Sequence, residues 1–230
     1  GFNLASSSNN NTLSGNTVTS NGIGIYLSSS SSNTLSGNTA TGNNFGMYLA
    51  SSSSNTLFGN TANGNSLGIQ LSSSSGNNIS SNTANSNTNS GIYLVSSSNS
   101  NTLSGNTATG NNIGIQLSSS SSNTINGNTA TGNNIGIQLL SSSSNTINGN
   151  TATGNTNFGI YLAFSSNNTL SGNAATGSSY GIYLSSSNGN TMTGNTAISN
   201  TNFGIILASS SSNNILGNTA TGNLYSIYLF

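Results

Sequence analysis

Apolar residues recur along the chain in a fixed phase, and the phrase that carries them is clearest from Asn101 to Ser122. Within it, Thr102-Leu103-Ser104 and Thr107-Ala108-Thr109 each set one apolar residue between two small polar ones. Ile113-Gly114-Ile115-Gln116-Leu117 alternates apolar with other residues. Period-two alternation marks a strand with one buried face, because successive side chains of a strand point to opposite sides. Gly105-Asn106 and Gly110-Asn111 separate the segments. Gly and Asn accept the positive φ that sharp corners demand, so the phrase predicts three short strands joined by tight turns.

The phrase repeats over the whole chain. Its opening asparagine stands at Asn11, Asn33, Asn55, Asn77, Asn101, Asn123, Asn145, Asn168, Asn190 and Asn213, in steps of 22 to 24 residues. The extra residues fall mainly in turns, as at Asn87-Thr88-Asn89 and Asn155-Thr156-Asn157; loops absorb insertions when the strands are fixed. One unit cannot bury its apolar face alone, but stacked neighbours can. The expected fold is therefore all-β: a parallel β-helix solenoid of about ten coils of 22–24 residues, with three short strands per coil. Crossovers between parallel strands favour a right-handed coil. At roughly 4.8 Å per rung the rod would be roughly 50 Å long. Stacked units have no internal boundary, so residues 1–230 form one continuous domain.

Alignment of the repeats predicts the interior. Four columns run Leu13 to Ile215, Val18 to Ala220, Ile25 to Ile227 and Leu27 to Leu229, one residue from each unit. The small Ala column should oppose the larger ones, since a close-packed interior alternates sizes. Asn16, Asn38, Asn60, Asn82, Asn106, Asn128 and Asn150 recur at one corner. Amides stacked at strand spacing can bond along the axis and satisfy corner backbone groups.

Composition changes what the rod can do. Its 230 residues include no Lys, Arg, Asp, Glu, His or Cys, and the formal net charge is zero. Ser, Asn and Gly dominate many disordered segments, but a disordered chain has no reason to keep the apolar phase. Without cations there is no counterion release, so nucleic acid is excluded as a partner, as is an anionic membrane surface. No apolar run approaches a bilayer span, so no membrane insertion is expected. Tyrosine is the only side chain that titrates, far above neutrality. Serines such as Ser118 to Ser122 have no base to activate them. Calcium would have only neutral oxygens. These absences predict a non-enzymatic chain with no metal and no cofactor.

The phrase Asn-x-Leu/Ile-x-x-Asn-x-Ala-x-x-Asn-x-x-Gly-Ile-x-Leu covers essentially the whole chain. It resembles the right-handed parallel β-helix repeats of NosD-like periplasmic and archaeal cell-surface proteins, an architecture shared with pectate lyase-like carbohydrate-active proteins. The resemblance implies the scaffold and an extracellular or cell-surface setting. It does not bring the family chemistry with it. Lyases and hydrolases of this shape use carboxylates and basic groups, and copper delivery by NosD-like proteins would call for His or Cys. None is present, and Met47 and Met192 fall in core columns of distant rungs.

The ends suggest a role. Phe2-Asn3-Leu4 reads as the last strand of a coil, and Ile227-Tyr228-Leu229-Phe230 as the same strand ten coils later. Solenoids normally end in polar capping units. Ends left bare could pair by strand addition into an open fibre. The expected function is thus a structural subunit of an extracellular filament or surface layer. It would assemble head-to-tail with copies of itself through Phe2, Asn3, Leu4, Ile227, Tyr228, Leu229 and Phe230.

Two other surfaces offer alternatives. Thr17, Thr19, Thr39, Thr41, Thr107, Thr109, Thr129, Thr131, Thr151 and Thr153 flank inward Val or Ala and would form a two-wide array; this resembles the faces of β-helical ice-binding proteins. Tyr26, Tyr48, Tyr93, Tyr161 and Tyr183 share an outward column with Gln70, Gln116 and Gln138, suited to glycans. A stalk within a larger surface protein is a further option. Asn10, Asn78 and Asn167 open N-glycosylation patterns.

Overall fold

A computed structural model describes residues 1–230. It is a parallel β-helix of about ten coils with three bonded sides and no helices. The first side is an eleven-stranded sheet running from Phe2–Ala5 through Ile23–Ser28 to Tyr225–Leu229. The second has ten three-residue strands, from Thr12–Ser14 to Asn214–Leu216. The third begins as a two-stranded sheet, Thr17–Thr19 against Thr39–Thr41, and continues as single-residue bridges from Thr39↔Thr61 to Thr196↔Thr219.

Every pairing is parallel and joins equivalent positions of successive phrases, as in Leu103↔Ile125 and Ile115↔Ile137. Register is held because a one-residue slip would turn each Leu and Ile outward. The four expected columns are the core. Leu35, Ala40, Met47 and Leu49 are fully buried, and their counterparts stay buried as far as Met192, Ala197, Ile205 and Leu207; in the last coil Ile215 and Ala220 are half-buried and Ile227 and Leu229 exposed. Each fully buried Leu or Ile adds about 1.5–3 kcal/mol relative to an exposed one.

The long strands depart from simple alternation. Gly114 and Ile115 are both buried, while Ile113 and Gln116 are half-exposed, so the second outward residue lies three positions after the first. Glycine makes this possible. A Cβ on Gly114 would lie 2.6 Å from the backbone oxygen of Gly136 and 3.0 Å from Cβ of Ala130. Only a residue without a side chain lets successive coils approach so closely.

The corners are also made differently from the expectation. Glycine takes positive φ as anticipated, but asparagine does so only at Asn10 and Asn167; serine fills nearly all the other left-handed positions. The asparagines instead point inward and form three buried columns, beginning at Asn11, Asn16 and Asn21. Asn106 shows the bonding. Its Nδ2 donates to Oδ1 of Asn128 at 2.9 Å and to the backbone oxygen of Ile79 at 2.8 Å. Its Oδ1 accepts from the backbone N–H and Nδ2 of Asn82. One amide thus satisfies corner groups of the coils before and after its own, as a buried backbone requires. A fourth column, of serines, bonds the same way, as in Ser120 N–H to Ser142 Oγ at 3.0 Å.

Candidate functional site

The long sheet carries the most distinctive surface. From the second strand on, its strands start with one rank on the outer side, Ile23, Phe45, Leu67, Ser90, Ile113, Ile135, Phe158, Tyr180, Phe203 and Tyr225, of which only Ser90 is buried. Three residues on stands the second rank, Tyr26, Tyr48, Gln70, Tyr93, Gln116, Gln138, Tyr161, Tyr183, Ile206 and Tyr228. The two ranks touch. Phe158 stacks on Tyr161 at 4.7 Å between ring centroids, and Phe45 on Tyr48 at 5.2 Å.

Rings also stack from coil to coil. Tyr26 lies 5.3 Å from Tyr48. Toward the other end Phe158, Tyr180, Phe203 and Tyr225 form one continuous column, with Tyr161, Tyr183 and Tyr228 beside it. Strand register at about 4.8 Å imposes this spacing, which suits offset ring pairs. Tyr93 stands apart, between Gln70 and Gln116. Of the expected tyrosines the structure therefore joins Tyr26 with Tyr48 and Tyr161 with Tyr183, and leaves Tyr93 alone. The first rank was not anticipated. Its signal was present, as the large residue preceding the glycine in most phrases, but simple alternation assigned that position to the interior.

Amides and hydroxyls interleave with the rings. Ser90 Oγ donates to Oε1 of Gln116 at 2.7 Å. Gln138 is only 7% exposed and Ile206 4%, although both belong to the outer rank. The side-chain oxygens of Gln70 and Gln138 are covered and accept no hydrogen bond. Burial among the rings raises the phenol of Tyr161 above its ordinary value of 10.0, Tyr183 adds to the rise, and a hydrogen bond with Ser185 opposes it.

The other expected sites are placed as follows. Thr17 and Thr19 pair with Thr39 and Thr41. Thr107, Thr129 and Thr151 follow one another in bridges along the third side, and the hydroxyls of Thr109 and Thr131 lie 3.2 Å apart; Thr153 flanks Ala152 in the same way. A second threonine rank, including Thr102, Thr124 and Thr146, is exposed on the ten-stranded sheet. Asn10, Asn78 and Asn167 are all exposed. Phe2, Asn3 and Leu4 lie at one end of the long sheet, Ile227, Tyr228, Leu229 and Phe230 at the other. The outermost strands bond on one side only, as they do wherever a coil stops. Phe58 and Phe164 project from the polar surface, 54% and 68% exposed.

With the geometry in place, comparison with known proteins identifies the lineage. A family model described as periplasmic copper-binding protein (NosD) matches residues 2–129 and again 108–229. The chain belongs to the NosD family. No match is found among curated proteins. Among solved structures, the periplasmic alginate epimerase AlgG is similar at 16% identity, over 95% of this chain and 72% of that one, with a TM-score of 0.67. The A-module of the Azotobacter vinelandii mannuronan C-5 epimerase AlgE6 matches at 15% identity, over 100% and 76%, with a TM-score of 0.70. Tailspike protein 2 of the Escherichia coli O157:H7 bacteriophage CAB120 matches at 15% identity, over 94% of this chain and 38% of that one, with a TM-score of 0.69.

These neighbours correct the expectation of a non-enzymatic chain. AlgG and AlgE6 are enzymes, and their fold is this one. The expectation rested on composition, which left only tyrosine phenols, titrating far above neutrality, as ionisable side chains. Here the fold packs phenols side by side, as at Tyr161 and Tyr183.

The copper named in the family description does not fit this chain's donors. Copper takes imidazole, thiolate or thioether ligands, and there is no His or Cys. The two thioethers, Met47 and Met192, are fully buried in the core, one beneath the long sheet and the other beneath the ten-stranded sheet.

Proposed function

We propose that this chain is a carbohydrate-binding β-helix working outside the cytoplasm, with a glycan held along the two-rank aromatic stripe of the long sheet. The observation that carries this reading is the stripe itself. Phe158, Tyr161, Tyr180, Tyr183 and Phe203 form one ring cluster on a rod whose other surfaces are mainly Ser, Thr and Asn. Large contiguous apolar patches on soluble proteins mark places of contact. Tyrosine offers an apolar body with a polar tip. That combination suits a sugar ring, which has apolar C–H faces and a hydroxyl rim.

The family is described as periplasmic, and AlgG and AlgE6 are named for alginate and mannuronan, both carbohydrates. These names support the setting and the ligand class. Lengthwise continuation into another copy, the expectation drawn from the sequence, has behind it the one-sided bonding of the end strands and the exposed Phe2, Ile227, Leu229 and Phe230 at those ends; glycan binding draws on side chains in the body of the rod.

The test is a titration of the protein with polysaccharides, followed by tyrosine fluorescence. Saturable quenching that weakens at least tenfold in Tyr183→Ala, but not in Thr124→Ala on the ten-stranded sheet, is expected. Equal weakening in both variants, or no saturable binding, would overturn the reading.

A further inference from the structure

Resting on that reading, we infer that the glycan this face accepts is uncharged: a polymer of neutral sugars rather than of uronates or sulfated sugars. Alginate is a polyuronate, with one carboxylate on every residue. An anionic polymer laid along the stripe would need a cation or a dense set of N–H donors for each carboxylate it brings out of water. The whole chain has no Lys, Arg or His. Its one cationic group, the N-terminal amine, donates to Oδ1 of Asn21 at the start of the rod, far from the larger ring cluster.

The polar groups between the rings are of another kind. Gln70, Gln116, Gln138, Ser90 and the tyrosine hydroxyls both donate and accept. They match sugar hydroxyls, which do the same, group for group. Two of them hold unmet capacity: the amide oxygens of Gln70 and Gln138 are covered and accept nothing. The terminal torsion of glutamine is soft, so either amide can turn outward to a hydroxyl donor. A carboxylate or sulfate is acceptor-only and gives those oxygens nothing.

The stripe also disfavours negative charge in its own side chains. The phenol of Tyr161 holds its proton more tightly than a solvated one, first because it is desolvated among its neighbours. A carboxylate pressed against the same rings would meet the same environment. Electrostatic complementarity sets which partners are rejected as much as which are taken, and this face has no cation with which to attract a polyanion.

The experiment is a glycan array that carries neutral polymers (β-glucans, mannans, galactans) beside alginate, pectate and sulfated polysaccharides, read at low salt and again at high salt. Binding confined to neutral glycans, at least tenfold above any acidic one and unchanged by salt, is the expected result. Tyr183→Ala should remove it while Thr124→Ala keeps it. Binding of alginate or another polyanion as strong as that of any neutral glycan would overturn the inference and leave glycan binding itself standing. Binding to nothing on the array would overturn both.

Discussion

Asn155 and Ser178 occupy successive positions of the third amide column, yet no hydrogen bond joins them. Asn155 accepts from the backbone N–H of Asn133 and donates to the backbone oxygen of Ala130. Ser178 takes its own place by donating its N–H to Oδ1 of Asn200, but its Oγ is buried without a partner. A serine is too short to do what an asparagine does elsewhere in the column.

Ser178→Asn should therefore stabilise the rod. The restored bonds and removal of an unsatisfied buried hydroxyl are together worth about 1–2 kcal/mol. In a chain of this size each kcal/mol raises the melting temperature by about 2–4 °C. Circular dichroism melts of the two proteins measure it, and an unchanged or lower melting temperature would show that the column tolerates the gap.

Asn106→Ala should act in the opposite direction, and more strongly. It removes the acceptor of Asn82 N–H and Nδ2 and the donor to Ile79 and Asn128. With several buried groups left unpaired, a loss of about 3–5 kcal/mol is expected. Asn44→Ala, at an exposed position, should change stability by less than about 0.5 kcal/mol. Urea unfolding of the pair gives the contrast.

Two glycines separate crowding from conformation. Gly114→Ala would drive a Cβ to 2.6 Å from the backbone of the next coil, and it should cost about 3 kcal/mol or more. Gly127 has φ +60 and open space around it, so Gly127→Ala should cost only the left-handed penalty of about 1–2 kcal/mol. Similar losses in both would mean that the close approach at Gly114 relaxes freely.

Alkali should loosen the tyrosine stripe. The folded state holds the proton of Tyr161 more tightly than the unfolded state does. Between the two pKa values the folded state binds more protons, so unfolding free energy falls as pH rises. This contribution is complete below the ordinary value of 10.0 and is lost as pH climbs through the raised one. Tyr161→Phe should flatten the fall in melting temperature above that pH. Phenolate absorbance titration should show one tyrosine fewer ionising late; an identical profile would remove Tyr161 from the account.

Much of the fold was legible because the repeat states the same fact many times. Leu103 and Ile125, or Ile115 and Ile137, hold the same place in successive phrases, and strands of equal phase pair in register. The candidate face was only half legible. Tyr161 and Tyr183 could be placed outward by their shared position, but Phe158 and Tyr180 could not. Their direction depends on Gly159 and Gly181 turning inward, which follows from how closely neighbouring coils approach. The inward turn of the asparagines was also seen for only one of three columns. In isolation an asparagine at a corner is equally suited to a left-handed turn and to a buried amide stack.

The sequence by itself determined the parallel β-helix, its coil length and its four apolar columns, because burial at strand periodicity leaves one packing that keeps the Leu and Ile of those columns inside. It also determined that the surface would carry no side-chain charge. Tertiary structure decided which half-apolar positions meet. Residues in different coils come together only when stacking sets them about 4.8 Å apart, and that distance turns separate phenylalanines and tyrosines into one face.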